Sequence, residues 1–130
     1  MVTAIKHFTP EEAQRTLPLV RKIVDDILKT SREIRILTED KNGIVEDDPQ
    51  IRKMMNDING FISELEELGC YYKDWNFSMG LVDFPAVIGG KEVFLCWRND
   101  EDDIKYYHDI ETGDSGRRLI PERYLKDLLK

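Results

Sequence analysis

From Pro10 onward, apolar residues return at alternating steps of three and four. Leu17, Val20, Val24, Ile27 and Ile34 follow this spacing, with Ser31 in the one place it skips. Such spacing lays a single narrow stripe along an α-helix, the seam for another helix. Thr9 predicts the start: its hydroxyl can accept from the Glu12 amide while the Glu12 carboxylate reaches back, and Pro10 stands where a missing N–H costs nothing. Pro18 removes one helical hydrogen bond, so a kink or restart is expected near Thr16. Residues 39–49, with Asn-Gly inside and Pro49 at the end, read as a loop. A second helix runs from Asp48 or Pro49 to Leu68. Ile51, Met55, Ile58, Ile62 and Leu65 repeat the spacing, and Gly69 supplies the stop.

Two seams joined by a loop predict an antiparallel pair, with Leu17, Val20, Val24 and Ile27 against Met55, Ile58, Ile62 and Leu65. Burying about ten such side chains at ~1.5–3 kcal/mol each offsets less than the ordering of about fifty residues costs. The hairpin therefore needs cover from the rest of the chain or from a second copy. Ile23, Leu28, Met54 and Phe61 fall outside the two-helix seam, which points to a homodimer through the helices.

After Gly69 the period changes to two. Residues 81–87 and 91–97 flank Gly89-Gly90, a dipeptide suited to a tight primed turn, so they form a hairpin. Residues 104–108 make a third strand and 70–74 an edge strand. Pro85 places its own strand at an edge or a bulge. Pro121 opens a short final helix whose Tyr124, Leu125, Leu128 and Leu129 form an apolar face. The expected fold is α+β in one domain spanning 1–130, with a helical hairpin over 9–69 and an antiparallel meander with a short helix over 70–130.

Charge and composition narrow the function. A net charge of −7 over 130 residues disfavours nucleic acid and anionic membranes as partners. No run of apolar residues is long enough for a membrane span, and the first residues lack the features of a signal peptide, so a cytoplasmic protein is expected. Cys70 and Cys96 make no disulfide framework and are expected to be thiols.

The candidate chemistry lies between Gly80 and Arg118. Cys96, Glu101 and His108 could join in a metal site or pair a thiolate with a base, and strand register decides whether they meet. A tight antiparallel pairing puts Cys96 opposite 105–107 and His108 beyond Val93. The alternatives are a Cys96 that serves as a small buried hydrophobe and a His108 that bonds the glycine-rich loop. Zinc requires three or four ligands, more than these spacings announce. Gly113, Gly116, Arg117 and Arg118 could clasp a small anion, or Arg117 could pair internally with Asp83, Glu101 or Asp109. The acidic run 100–103 lacks the alternation of a calcium loop and reads as solvated. No nucleotide-binding, nucleophile-elbow or zinc-protease string is present, so whether the protein is an enzyme is left open.

Phe8-Thr9-Pro10-Glu11-Glu12-Ala13 with Leu17-Pro18, Leu68-Gly69, the strings GLVDFP (80–85) and EVFLCWR (92–98), Ile104, His108 and Gly116-Arg117-Arg118 resemble, in this order, the domain of unknown function 2203 family of small bacterial proteins. That family has no established activity, so the resemblance implies an architecture only. Its members typically carry Gly-Glu after the CWR string and Trp before the His; here Asp100-Glu101 and Tyr107 stand in those places.

Two functions are compatible with these residues. One is a homo-oligomeric interaction or regulatory module. The other is a small ligand- or metal-binding protein or hydrolase with a site at the end of the sheet, lined by Asp83, Cys96, Arg98, Glu101, His108 and Arg117. No cofactor is required by any motif, though a divalent metal fits the second function, as does a small anionic ligand.

Overall fold

A computed structural model describes residues 6–41, 48–74 and 76–125. Helix α1 (Pro10–Asp40) begins with the expected capping box, in which Thr9 Oγ1 accepts from the Glu12 amide and Glu12 Oε1 accepts from the Thr9 amide. The helix is assigned without a break through Pro18, where a kink or restart was expected, and the Thr16 hydroxyl donates to the Glu12 carbonyl one turn before the proline. Helix α2 (Pro49–Leu68) is capped by Asp48, whose carboxylate accepts from the amides of Gln50 and Ile51, and ends at Gly69 in the left-handed region with φ 101°. A 2.6 Å ion pair between Lys41 and Asp48 ties the end of α1 to the start of α2. The loop expected over 39–49 begins later than anticipated, since α1 reaches Asp40; residues 42–47 lie outside the described set.

Five antiparallel strands follow in the order β1-β2-β3-β4-β5: β1 (Tyr71–Tyr72), β2 (Leu81–Ile88), β3 (Lys91–Arg98), β4 (Tyr106–Asp109) and β5 (Arg118–Leu119). The edge strand is shorter than expected and β4 starts two residues later than 104, while β5 and the 3₁₀ turn Gly113–Gly116 were not anticipated. Short helix α3 (Glu122–Leu125) begins after Pro121; Leu128 and Leu129 lie outside the described residues. Pro85 is tolerated because β1 does not extend that far. The Pro85 carbonyl points away from β3 and accepts from the Phe8 amide at 2.7 Å, and in a strand the nitrogen of the same residue points the same way, so no ladder bond is lost.

Alternation gives the sheet two unlike faces. Val82, Phe84, Ala86, Val93, Leu95 and Trp97 turn inward to meet Leu17, Val20, Ile23, Val24 and Ile27 of α1 in the core. The hairpin packs as expected except at two places. Met55 is 55% exposed and lies outside the seam, and Ile23, expected outside the helical seam, is buried in the core shared with the sheet. Leu28, Phe61 and Ile62 are half-buried against the same core. Ser31 fills its skipped position with a hydroxyl that donates to the Leu28 and Phe77 carbonyls, so a buried polar group remains satisfied. No helix among the described residues is long and apolar enough to cross a membrane.

Gly80 marks the closest approach of loop to helix. Its φ is +70°, and a Cβ placed there would come within 2.6 Å of Val24 Cγ1 and 3.2 Å of Leu28 Cδ1. Gly80→Ala is expected to destabilise the fold by roughly 2–4 kcal/mol, combining left-handed strain with overpacking. Urea unfolding checks this, and a midpoint equal to that of the parent protein would refute the close packing of α1 on this loop.

Candidate functional site

The outer face of the sheet carries the polar chemistry. The two-residue turn Gly89-Gly90, with φ of 59° and 80°, sets the β2–β3 register so that Asp83 stands directly opposite Cys96. On the other side of β3, Cys96 pairs with Tyr106 and Phe94 with His108, inside the expected window for Cys96. His108 is therefore the diagonal neighbour of Cys96 on the same face, close enough for long side chains to meet. Asp83, Cys96 and His108 are all buried, and one potential ligand atom from each lies within 4.8 Å of the others.

His108 is held at both ring nitrogens. Nδ1 is 2.8 Å from the Asp109 carbonyl, which can only accept, so Nδ1 carries a proton. Nε2 faces both oxygens of the Asp83 carboxylate at 3.2 Å, with the two side chains only 3% and 4% exposed. Two facing lone pairs would repel, so either a proton shared between the ring and the carboxyl or a metal ion must stand between Nε2 and Asp83. Asp109 is itself fixed, because its carboxylate accepts from Arg118 at 2.8 Å and lies 3.4 Å from Lys91.

Beside this trio lies an ion pair built from the other expected residues. Arg117 Nη2 donates to both Glu101 oxygens, at 2.7 and 2.9 Å, and to the Cys96 carbonyl at 3.2 Å, while its guanidinium lies 4.2 Å from the Tyr106 ring centre. Glu101 Oε1 also accepts from the Arg98 amide. Thus Asp83, Cys96 and His108 form one group and Glu101 with Arg117 a second beside it, to which Arg98 contributes its backbone amide. Asp83, and not Glu101, completes the cluster with Cys96 and His108, because the Glu101 carboxylate is drawn to Arg117. The internal pairing considered for Arg117 is the one adopted, so this guanidinium acts as a brace.

Other supporting residues carried no sequence signal of their role. Gln14 of α1 donates to Asp103 and accepts from the Ile104 amide; Arg21 donates to the carbonyls of Glu101 and Asp102 and covers the Trp97 ring. Trp97 Nε1 donates to the same Glu101 carbonyl. Cys70, by contrast, is sequestered: burial pushes its thiol up to about 12, and Sγ contacts only the local Leu65 carbonyl among its hydrogen-bond partners. A cavity of about 260 Å³ reaches Asp83 and His108, bounded also by Lys73, Leu81, Phe94, Ile110 and Gly113.

The family model described as an uncharacterized conserved protein (DUF2203) matches residues 6–120, and the chain belongs to this family. The match spans α1, α2, the whole sheet and every residue of the outer-face cluster. No curated protein and no solved structure matches the chain.

Removing the Glu101 charge takes the carboxylate partner from the Arg117 guanidinium, whose side chain is 11% exposed. Glu101→Gln is expected to cost roughly 2–4 kcal/mol, the range for breaking a mostly buried pair, with Glu101→Asp milder. Chemical denaturation of the two variants checks the order, and equal stability in both and in the parent would show the pair to be dispensable.

Proposed function

We propose that this protein binds a divalent transition metal through Asp83, Cys96 and His108 on the outer face of its sheet. The observation that carries the reading is the orientation of His108: the Asp109 carbonyl takes the Nδ1 proton and directs Nε2 at the Asp83 carboxylate, with Cys96 as the third donor type in the same cluster. A backbone carbonyl on the far nitrogen is the arrangement by which metal-ligating histidines are oriented. Carboxylate, thiolate and neutral imidazole together carry two negative charges, which a divalent ion neutralises in a buried setting. The donor set suits zinc or another borderline-soft ion. Bonds of 2.0–2.3 Å place tetrahedral donors roughly 3.3–3.6 Å apart, so the Asp83–His108 spacing already fits and Cys96 must draw in.

Three protein ligands leave a coordination position, and the cavity at Asp83 and His108 gives it access to small molecules. A small ligand-binding or hydrolytic role at this position accords with the geometry. We place the protein in the cytoplasm, where both cysteines stay reduced.

Protein purified without chelator is expected to contain about one equivalent of metal by elemental analysis, and the cobalt-loaded form to show thiolate-to-cobalt absorption. Cys96→Ser and His108→Ala should lose both signals, whereas Cys70→Ser keeps them. Saturating metal should raise the melting temperature of the parent, since binding at a hundredfold over Kd adds about 2.7 kcal/mol. Absence of stoichiometric metal together with no cobalt spectrum from the parent protein would falsify the reading in favour of a buried imidazolium–aspartate pair.

A second reading, self-association through the helices, has its own observation. Ile36 and Met55 are more than half exposed, and Met55, Ile34, Ile58, Ile62 and Phe77 border an apolar groove of about 410 Å³ between the helices. A homodimer at micromolar concentration is the expected result of sedimentation equilibrium, with Met55→Glu shifting it to monomer; a parent protein sedimenting at 15.3 kDa contradicts it.

A further inference from the structure

Along α1, a cationic ridge stands out on a chain of net charge −7. Lys29, Arg32 and Arg35 follow one another at steps of three along α1 and line a single cavity of about 440 Å³. The opposite wall is formed by Phe77, Ser78 and Asn99, and Asp25 is the acidic group on the lining. None of the three cations makes an ion pair with any described residue. On the same helix, Arg15 and Lys22 sit within 4 Å of Glu11 and Asp26.

The wall opposite the ridge is preset. Asp74 gathers the loop by accepting from the amides of Asn76, Ser78, Met79 and Gly80. Burial raises the Asp74 pKa, but these four amides outweigh it and hold the group below its ordinary value. Asn99 is anchored by its amide to the Gly80 carbonyl at 3.0 Å. An amide side chain, a hydroxyl and three cations therefore line one concavity.

From this we infer that the cleft between α1 and the 76–80 loop binds a small molecule carrying a diphosphate or two neighbouring phosphate groups. Lys29 and Arg35 are separated by about 9 Å along the helix, a span that matches two linked phosphates better than one, with Arg32 between them. Arginine forks recognise phosphate oxygens bidentately, and Lys29 adds a point charge. The overall negative charge repels extended polyanions such as nucleic acid or an anionic membrane, but acts weakly on a small ligand already inside a locally positive cleft.

Calorimetric titration with inorganic diphosphate, orthophosphate and sulfate at matched ionic strength tests the inference. Saturable one-to-one binding of diphosphate is expected, at least tenfold tighter than orthophosphate and weakened by added salt. Arg32→Gln and Arg35→Gln alter exposed side chains, so the fold should hold; each should weaken diphosphate by roughly tenfold, while Lys22→Gln should not. Cys96→Ser should leave diphosphate binding unchanged, separating this cleft from the proposed metal centre. The inference is overturned by no saturable binding to the parent protein, by binding that survives both arginine variants, or by binding lost in Cys96→Ser alone.

Discussion

The register between β2 and β3 is the constraint on which the molecule depends. Gly89 and Gly90 both adopt positive φ, closing a two-residue turn that pairs Ile88 with Lys91 and, from there, Asp83 with Cys96 and Phe84 with Leu95. A slip of one residue would send Phe84, Leu95 and Trp97 to the outer face and the carboxylate and thiol into the apolar core. The penalty for that exchange makes the register unambiguous. The turn is also held from outside, since the Gly89 amide donates to the Tyr124 hydroxyl of α3.

That register makes one sheet serve two purposes. Its inner face offers aromatic and aliphatic side chains to α1, and α2 rests on α1, so the hairpin gains the cover that two helices alone lack. Among the described residues no helix covers the outer face, yet Asp83, Cys96 and His108 are buried there. Buried polar groups tolerate such a position only when paired. The Arg117–Glu101 pair and the Asp109 carbonyl supply part of that pairing, and α1 secures it from the opposite side of the sheet through Arg21 and Gln14. Helix, loop and outer face are thereby one connected network, so the residues bracing the site are as far away in sequence as Gln14 is from Ile104.

The two proposed sites differ in how they treat charge. In the outer-face cluster unlike groups are buried together and must balance, which favours a bound cation. Along the α1 ridge, like charges face solvent beside a fixed polar wall, which favours a bound anion. Neither depends on the other, because the ridge lies on the helix and loop side and the cluster on the far face of the sheet.

Local rules were enough to read much of this chain. The capping box at Thr9, the proline-opened start of α2, the glycine stop at Gly69 and the Gly-Gly hairpin all follow from interactions within a few residues, so the sequence carries them openly. The six candidate residues could be named because their types are chemically costly and cluster within 35 positions, from Asp83 to Arg117. Their grouping could not. Whether Glu101 or Asp83 joins Cys96 and His108 depends on which carboxylate Arg117 captures, and that is decided by strand register and a loop held from α1. Likewise the periodicity that placed Met55 in the seam could not show that its side chain is left exposed, nor that Ile23 faces a sheet whose first strand begins 48 positions later. Sequence determines what is satisfied locally; tertiary structure decides which distant groups share a burial site, because desolvation and pairing act on all the neighbours that folding brings together.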